Sequence, residues 1–340
     1  MTKSAYSTGK QVKEFCAVIG KDSMLVQGAG GNVSWKDDEV LWVKASGTWL
    51  KDALAKDIFV PIELLHLRKE IAKKNFQVIP KVIGNSILRP SIETLLHALM
   101  PQKVVVHLHA IEILAHLVRT NPVARLDKLI GNNIKWSIVD YFKPGAELAE
   151  AVAKNLSQNF DVDVIFLRNH GVVIGGESIG DIDIILQKLI VFLKNKITHL
   201  TNNIKPIDQA SLIQLSGYKV SQDEEISQLA TYKSLSARLK SEWVLYPDHA
   251  VFLGSFAPIL GESIDYEDIN STSNKLPAFI FDLGVCVYEK ETITTAEKDQ
   301  LRCYYDVLIR QIDNDGLVSL PPDSIMELLD WDAEKYRQRQ

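Results

Sequence analysis

The chain reads as an α/β protein layered around a largely antiparallel sheet, and three observations carry that prediction. Strand-like apolar runs, such as Val104-Val105-Val106 and Val164-Ile165-Phe166-Leu167, alternate with amphipathic helical stretches. Short turns, Asp37-Asp38 for example, join neighbouring strands. The most apolar stretch, Ile182 to Leu193, is interrupted by Asp183, Gln187 and Lys188, which marks a helix packed on a core and not a membrane span.

The elements follow in order. Gly9 to Ile19 reads as an opening helix. Met24-Leu25-Val26 leads into the turn-rich Gln27-Gly28-Ala29-Gly30-Gly31-Asn32, then Val33-Ser34-Trp35 and a second strand, Glu39 to Lys44, closed by Ala45-Ser46-Gly47. Pro61 precedes a helix over 62–74. Ser91 stands as a cap for a helix over 92–99, with Glu93 in its first turn. A strand over 103–107 ends at a pair of histidines, and a helix runs on to about Arg119. Strands over 136–141 and 163–167 flank a helix over 147–157, and a long helix covers 181–200. Beyond Asn202 the character changes: 206–241 is polar and helical, 261–274 is polar, and a strand-turn-helix closes the chain over 278–312. These readings divide the chain into a first domain, 1–202, and a C-terminal α/β extension, 203–340.

Composition narrows the class. A net charge of −5 over 340 residues supplies no electrostatic footprint for nucleic acid. The three cysteines, Cys16, Cys286 and Cys303, are odd in number and far apart, which points to a reducing cytoplasm. No apolar segment follows Met1-Thr2-Lys3, so no signal peptide and no membrane association are expected.

The chemistry concentrates at His107-Leu108-His109. Residues i and i+2 of a strand share a face, so both imidazoles converge. A third ligand stands at His170, also at the end of an apolar run, and three histidines with an open position describe a catalytic metal site. Gly28-Ala29-Gly30-Gly31-Asn32 fails the dinucleotide fingerprint, because Val33 replaces the third glycine and a strand follows. It serves either as an anion-holding backbone concavity, with Asn32 and Ser34 as added donors, or as a simple hairpin entry. Lys44-Ala45-Ser46-Gly47 and Arg89-Pro90-Ser91 are two further donor-rich turns suited to a phosphate or a polyol. Glu93 is either a helix-dipole partner or, beside a metal, a general base or displaceable ligand. His97, at i+4, either orients it or is packed. His66, His116, His199 and His249 read as structural or surface residues.

One segment echoes another. Val164 to Ile174 and Phe279 to Tyr288 each precede a long helix, and aligning Gly171 with Gly284 puts Leu283 at the place of His170.

Together, Gly30-Gly31-Asn32-Val33-Ser34, Lys44-Ala45-Ser46-Gly47, Pro90-Ser91-Ile92-Glu93, His107-Leu108-His109 and Asn169-His170-Gly171 resemble the class II aldolase/adducin family over about residues 10–200. Trp42 to Trp49 and Tyr141-Phe142-Lys143-Pro144-Gly145 look nearest to the aldolase half of bifunctional rhamnulose-1-phosphate aldolase/lactaldehyde dehydrogenases. Dehydrogenase activity is not expected of this chain. The resemblance implies a three-layer α/β/α fold, Zn²⁺ (or another divalent metal) on His107, His109 and His170, and Glu93 as catalytic acid/base. It implies phosphate binding by Gly31, Asn32, Ser46, Gly47 and Ser91, and a Tyr141 lent to a neighbouring subunit of a homotetramer. Ile92 stands where phosphate-binding members often carry a second serine. The expectation is a zinc-dependent aldolase-type lyase that cleaves a ketose 1-phosphate or related hydroxyketone through a metal-stabilised enediolate. The alternatives are a sugar-phosphate 4-epimerase, a sugar-acid decarboxylase or a dehydratase on the same site, and a non-enzymatic adducin-like scaffold.

Overall fold

A computed structural model describes residues 3–198, 212–265, 269, 276–311 and 316–333. It divides into two compact units, one holding Met1–Asn195 and the other Lys196–Trp331. The expected break between 202 and 203 lies outside the described residues.

The first unit is built on seven strands in the order β3-β2-β1-β4-β7-β6-β5. These are β1 (Asn32–Asp37), β2 (Val40–Lys44), β3 (Phe59–Glu63), β4 (Val104–Leu108), β5 (Trp136–Val139), β6 (Val164–Leu167) and β7 (Gly171–Gly176). Every neighbouring pair is antiparallel except β5 with β6. The β1–β2 turn rests on Asp38 at φ +50°, a left-handed position that Asp tolerates.

Seven helices cover this sheet: α1 (Lys3–Ile19), α2 (Leu64–Ala72), α3 (Thr94–Leu99), α4 (Ile111–Leu117), α5 (Pro122–Ile130), α6 (Ala146–Gln158) and α7 (Ile179–Phe192). Alternation along the strands divides them between two faces. Val33, Val104, Val106, Phe166 and Ile174 pack with α1, α4, α5 and α7. Val105, Ile165 and Val173 face the other way, onto Leu96 of α3 and Leu148 and Val152 of α6. Leu41, Val43, Val60 and Ile62 extend that second core over α2. The sheet is therefore sandwiched in three layers. β4 is buried on both faces, which explains its unbroken apolar sequence.

The second unit carries a three-stranded antiparallel sheet, β8 (Tyr218–Val220), β10 (Cys286–Lys290) and β9 (Phe279–Asp282), in that order. Its helices over the described residues include α8 (Glu224–Thr231), α9 (Lys233–Ser241), α10 (Pro247–Leu253), α11 (Thr295–Leu308) and α12 (Pro322–Leu329). Among the described residues, no helix is long and apolar enough to cross a membrane.

Several elements differ from expectation. Phe59–Glu63 is a strand, so the helix expected from Ile62 starts at Leu64; Pro61 hides the strand signal, yet Pro61 pairs with Trp42 in the ladder. The helix expected from Ile92 starts at Thr94. The long helix expected to Leu200 ends at Phe192, and His199 and Leu200 lie outside the described residues. Just past its end, the Asn195 side chain bonds the Leu193 carbonyl at 3.0 Å and the Glu112 carboxylate at 3.0 Å, pulling the chain off the helix path. The polar 206–241 stretch contains a strand, β8, besides its helices.

The echo between the two units is a matter of turn geometry. Arg168-Asn169-His170 joins β6 to β7 with Asn169 at φ +54°, and Leu283-Gly284-Val285 joins β9 to β10 with Gly284 at φ +83°. The helices that follow, α7 and α11, both open with a capping box, Ser178/Asp181 and Thr294/Glu297. Matched on the left-handed residue, Val285 and not Leu283 falls opposite His170.

Candidate metal centre

The site forms where β1, β4 and the β6–β7 turn meet α3. His107 shares the face of Val105, which looks onto α3, and His109 follows just past the strand end. The β6–β7 turn delivers His170 to the same place. The three rings are buried, with centroids 4.8, 4.9 and 5.2 Å apart. One ligand-capable atom from each lies within 4.8 Å of the other two.

Close packing here depends on two glycines. A Cβ on Gly171 would stand 2.3 Å from the Leu108 carbonyl oxygen and 3.2 Å from the rings of His107 and His109. Gly31, at φ +62°, does a similar service, since its Cβ would stand 3.0 Å from the His107 carbonyl. No local sequence pattern marks either glycine as a packing requirement of the histidines.

The donor set fits a divalent cation. His107 Nδ1 donates to the Val172 carbonyl at 3.1 Å, so its Nε2 presents a lone pair. That nitrogen lies 3.1 Å from His109 Nε2, a repulsive contact for two lone pairs unless a proton or cation sits between them. Tetrahedral zinc with ligands at about 2.1 Å would hold such nitrogens about 3.4 Å apart.

Glu93 stands at the N-cap of α3 and faces the same point. Its Oε2 lies 3.5 Å from His107 Nε2 and its Oε1 lies 3.5 Å from His170 Nε2. Burial pushes this carboxyl up, but the imidazoles of His107, His170 and His109 together with the Asn32 amide outweigh it and hold it down to about 2. Asn32 Nδ2 donates to Glu93 Oε2 at 2.8 Å, and Asn32 Oδ1 is hydrogen-bonded to His97 Nε2. Burial keeps His97 neutral, lowered to about 3.

The donor turns behave differently from expectation. Ser46 N–H donates to the Arg89 carbonyl at 2.9 Å and Ser91 N–H to the Lys44 carbonyl at 3.1 Å, so each turn uses the other's backbone. Their expected backbone donors are therefore occupied at these positions, and the hydroxyls of Ser46 and Ser91 remain. Ser91 Oγ also accepts from the Glu93 N–H at 3.2 Å, which couples the two residues. Gly47 turns the chain at φ +78°. The Asn32 side chain, expected to hold phosphate, is hydrogen-bonded to Glu93 and His97. Lys44, which opens the second donor turn, is buried and donates from Nζ to the Ala29 carbonyl at 3.0 Å, fastening the glycine-rich loop to β2. A lysine ending the run Val40-Leu41-Trp42-Val43 was the available signal.

Other residues fall outside the centre. Tyr141 follows β5, an edge strand that β7 and β6 separate from β4. His116 is buried and bonds the Leu193 carbonyl and Arg125, and His249 is buried against Trp243 and Tyr304, as their structural readings require.

Comparison with known proteins agrees with this arrangement. Residues 10–182 match the family described as the class II aldolase and adducin N-terminal domain. L-fuculose phosphate aldolase of Methanocaldococcus jannaschii is 31% identical over 180 residues, 50% of this chain and 86% of that one. An uncharacterized oxidoreductase, YuxG, of Bacillus subtilis is 31% identical over 177 residues, 47% of this chain and only 25% of that protein. Among solved structures, the N-terminal class II aldolase domain of a conserved protein from Thermoplasma acidophilum is 26% identical, covering 54% of this chain and 91% of its own, with a TM-score of 0.46. With half of its length matched by the family and the motifs assembled at one centre, the chain belongs to the class II aldolase and adducin N-terminal domain family.

Proposed function

We propose that this chain is a divalent-metal-dependent carbon–carbon lyase of the aldolase type, acting on a ketose 1-phosphate or a related sugar-derived hydroxyketone. The observation that carries the reading is Glu93, a buried carboxylate set 3.5 Å from nitrogens of both His107 and His170. A general acid/base beside a metal centre is what making and breaking a bond next to a carbonyl requires. His107, His109 and His170 would hold the metal, with zinc as the first choice for three imidazoles. Bound there, the ion supplies Lewis acidity toward a carbonyl and its neighbouring hydroxyl.

The chain's own residues do the rest. Glu93 moves the proton at the carbon freed by cleavage. The hydroxyls of Ser46 and Ser91 and the Gly47 turn orient the far end of the substrate, whether phosphate or hydroxyl. Ile92, half-buried beside Ser91, brings no donor to that end. Tyr141 would act as a second proton donor supplied to a neighbouring subunit, in a tetramer.

The test is a metal-loaded sample assayed against ketose 1-phosphates and unphosphorylated ketoses, with the aldehyde product detected. Cleavage of at least one supports the reading. Cleavage of none, with turnover in epimerase, decarboxylase or dehydratase assays, replaces it.

A further inference from the structure

Behind Glu93 lies a chain of hydrogen bonds whose directions can all be assigned. Asn32 and Ser34 stand two apart on β1 and share a face, the one toward α3. Asn32 Nδ2 donates to Glu93 Oε2 at 2.8 Å, and an ionised carboxylate can only accept. The amide orientation is thereby fixed, and Asn32 Oδ1 is the atom bonded to His97 Nε2. A carbonyl oxygen also only accepts, so His97 carries its proton on Nε2. Nδ1 is then a lone pair, 2.7 Å from Ser34 Oγ, which donates. Ser34, His97, Asn32 and Glu93 are all buried, so water does not offer these groups an alternative partner.

We infer that Ser34, His97 and Asn32 are positioning residues that hold Glu93 by Oε2 and leave Oε1 as its working oxygen. The inference rests on the reading of Glu93 as the proton carrier. Among the described residues, Oε1 accepts no hydrogen bond, and it lies 3.5 Å from His170 Nε2. An oxygen that accepts an N–H is less basic than its unbonded twin, so the chain makes the two oxygens unequal. The carboxylate sets the polarity of the whole arrangement. Were His97 protonated on Nδ1 instead, its Nε2 lone pair would face Asn32 Oδ1. Relief would require the amide to turn over, setting Oδ1 against the carboxylate. The Nε2–H form avoids this conflict, and Ser34 completes the chain by donating to Nδ1. The chain reaches from one strand through a helix and back to the strand before it meets Glu93, so it fixes Glu93 to the sheet that also carries His107.

Two measurements decide it. The first needs no substrate: long-range ¹⁵N correlation spectra of histidine-labelled protein, metal-free and zinc-loaded, with the His97 signals identified by their loss in His97→Phe. The neutral Nε2–H tautomer is expected in wild type, with a marked change in Ser34→Ala. An Nδ1–H tautomer at His97 overturns the inference. The second follows deuterium uptake from D2O into dihydroxyacetone phosphate and dihydroxyacetone, with the metal content of each sample determined. His97→Phe should keep its zinc and slow exchange about 10- to 100-fold, the scale of lost orientation around a metal site, with KM nearly unchanged. His97→Gln, whose amide can still donate to Asn32, should recover part of the rate. Exchange at the wild-type rate in zinc-loaded His97→Phe overturns the positioning role. Wild-type protein that exchanges neither compound counts against the proposed lyase function, while the tautomer still decides whether the chain exists as drawn.

Discussion

His107 Nδ1 donates to the carbonyl of Val172, 3.1 Å away on the neighbouring strand β7. Two residues before Val172 stands His170. One histidine of the cluster is thus oriented by the backbone that carries another, and the same bond leaves His107 Nε2 facing the centre. Orientation of a ligating histidine by a carbonyl on its other nitrogen raises its basicity as a ligand and fixes its tautomer. The three-histidine cluster is therefore a property of the β4–β7 pairing as much as of the histidines.

Removal of one ligand should empty the centre. His109→Ala is expected to lose stoichiometric metal while keeping its fold, checked by elemental analysis alongside circular dichroism. Wild type should gain thermal stability from the metal: at a concentration about 1,000-fold above Kd, binding contributes about 4 kcal/mol. Unchanged zinc in His109→Ala rules out the triad.

Glu93→Gln separates binding from turnover. The amide is nearly isosteric with the acid but cannot carry the proton, so kcat should fall about 10²- to 10⁴-fold. Metal content should stay at the wild-type level, because three imidazoles remain. Turnover close to wild type in a metal-replete sample would remove Glu93 from its role.

Gly171→Ala probes the packing under the histidines. The added methyl would meet the Leu108 carbonyl oxygen at 2.3 Å, and that oxygen belongs to the β4 backbone. Overpacking at such a site costs about 1–3 kcal/mol, expected as a lowered Tm together with weaker metal binding. Wild-type stability and wild-type metal affinity in this variant would show that the strands can separate without consequence.

His116 supplies the pH dependence. Burial lowers its pKa from 6.5 to about 4, against a weaker upward pull from its bond to the Leu193 carbonyl. Its Nδ1 accepts from Arg125 Nε at 3.0 Å, an arrangement that only the neutral ring allows. Below pH 6.5 the unfolded chain takes up a proton here that the folded chain refuses. Stability is therefore lost as pH falls from about 6.5 to about 4, by about 3 kcal/mol in total, and is fully present above that window. Urea unfolding at pH 7, 5.5 and 4.5 should show a steeper decline in wild type than in His116→Gln. Parallel declines would place the acid sensitivity elsewhere.

The sequence by itself marked the three histidines, Glu93 and the alternation of strands with helices. His107 and His109 are two apart in an apolar run, and period-two geometry puts them on one face without knowledge of any other residue. The capping boxes of α7 and α11 and the buried run of β4 are local in the same sense. What those patterns leave open is which distant segments meet. Asn32 lies opposite His107 because β1 pairs with β4, and it reaches Glu93 across 61 positions of chain. Ser46 and Ser91 lose their backbone donors because an isolated bridge, Ala45 to Pro90, joins the two turns. Strand β3 was concealed by a proline that pairs in the ladder nonetheless, and Gly171 matters only because Leu108 and two imidazoles crowd it. Periodicity reports which face a residue takes, since that is set by bonds along the chain. Partners across the sheet are set by strand order and register, and only the tertiary structure decided those.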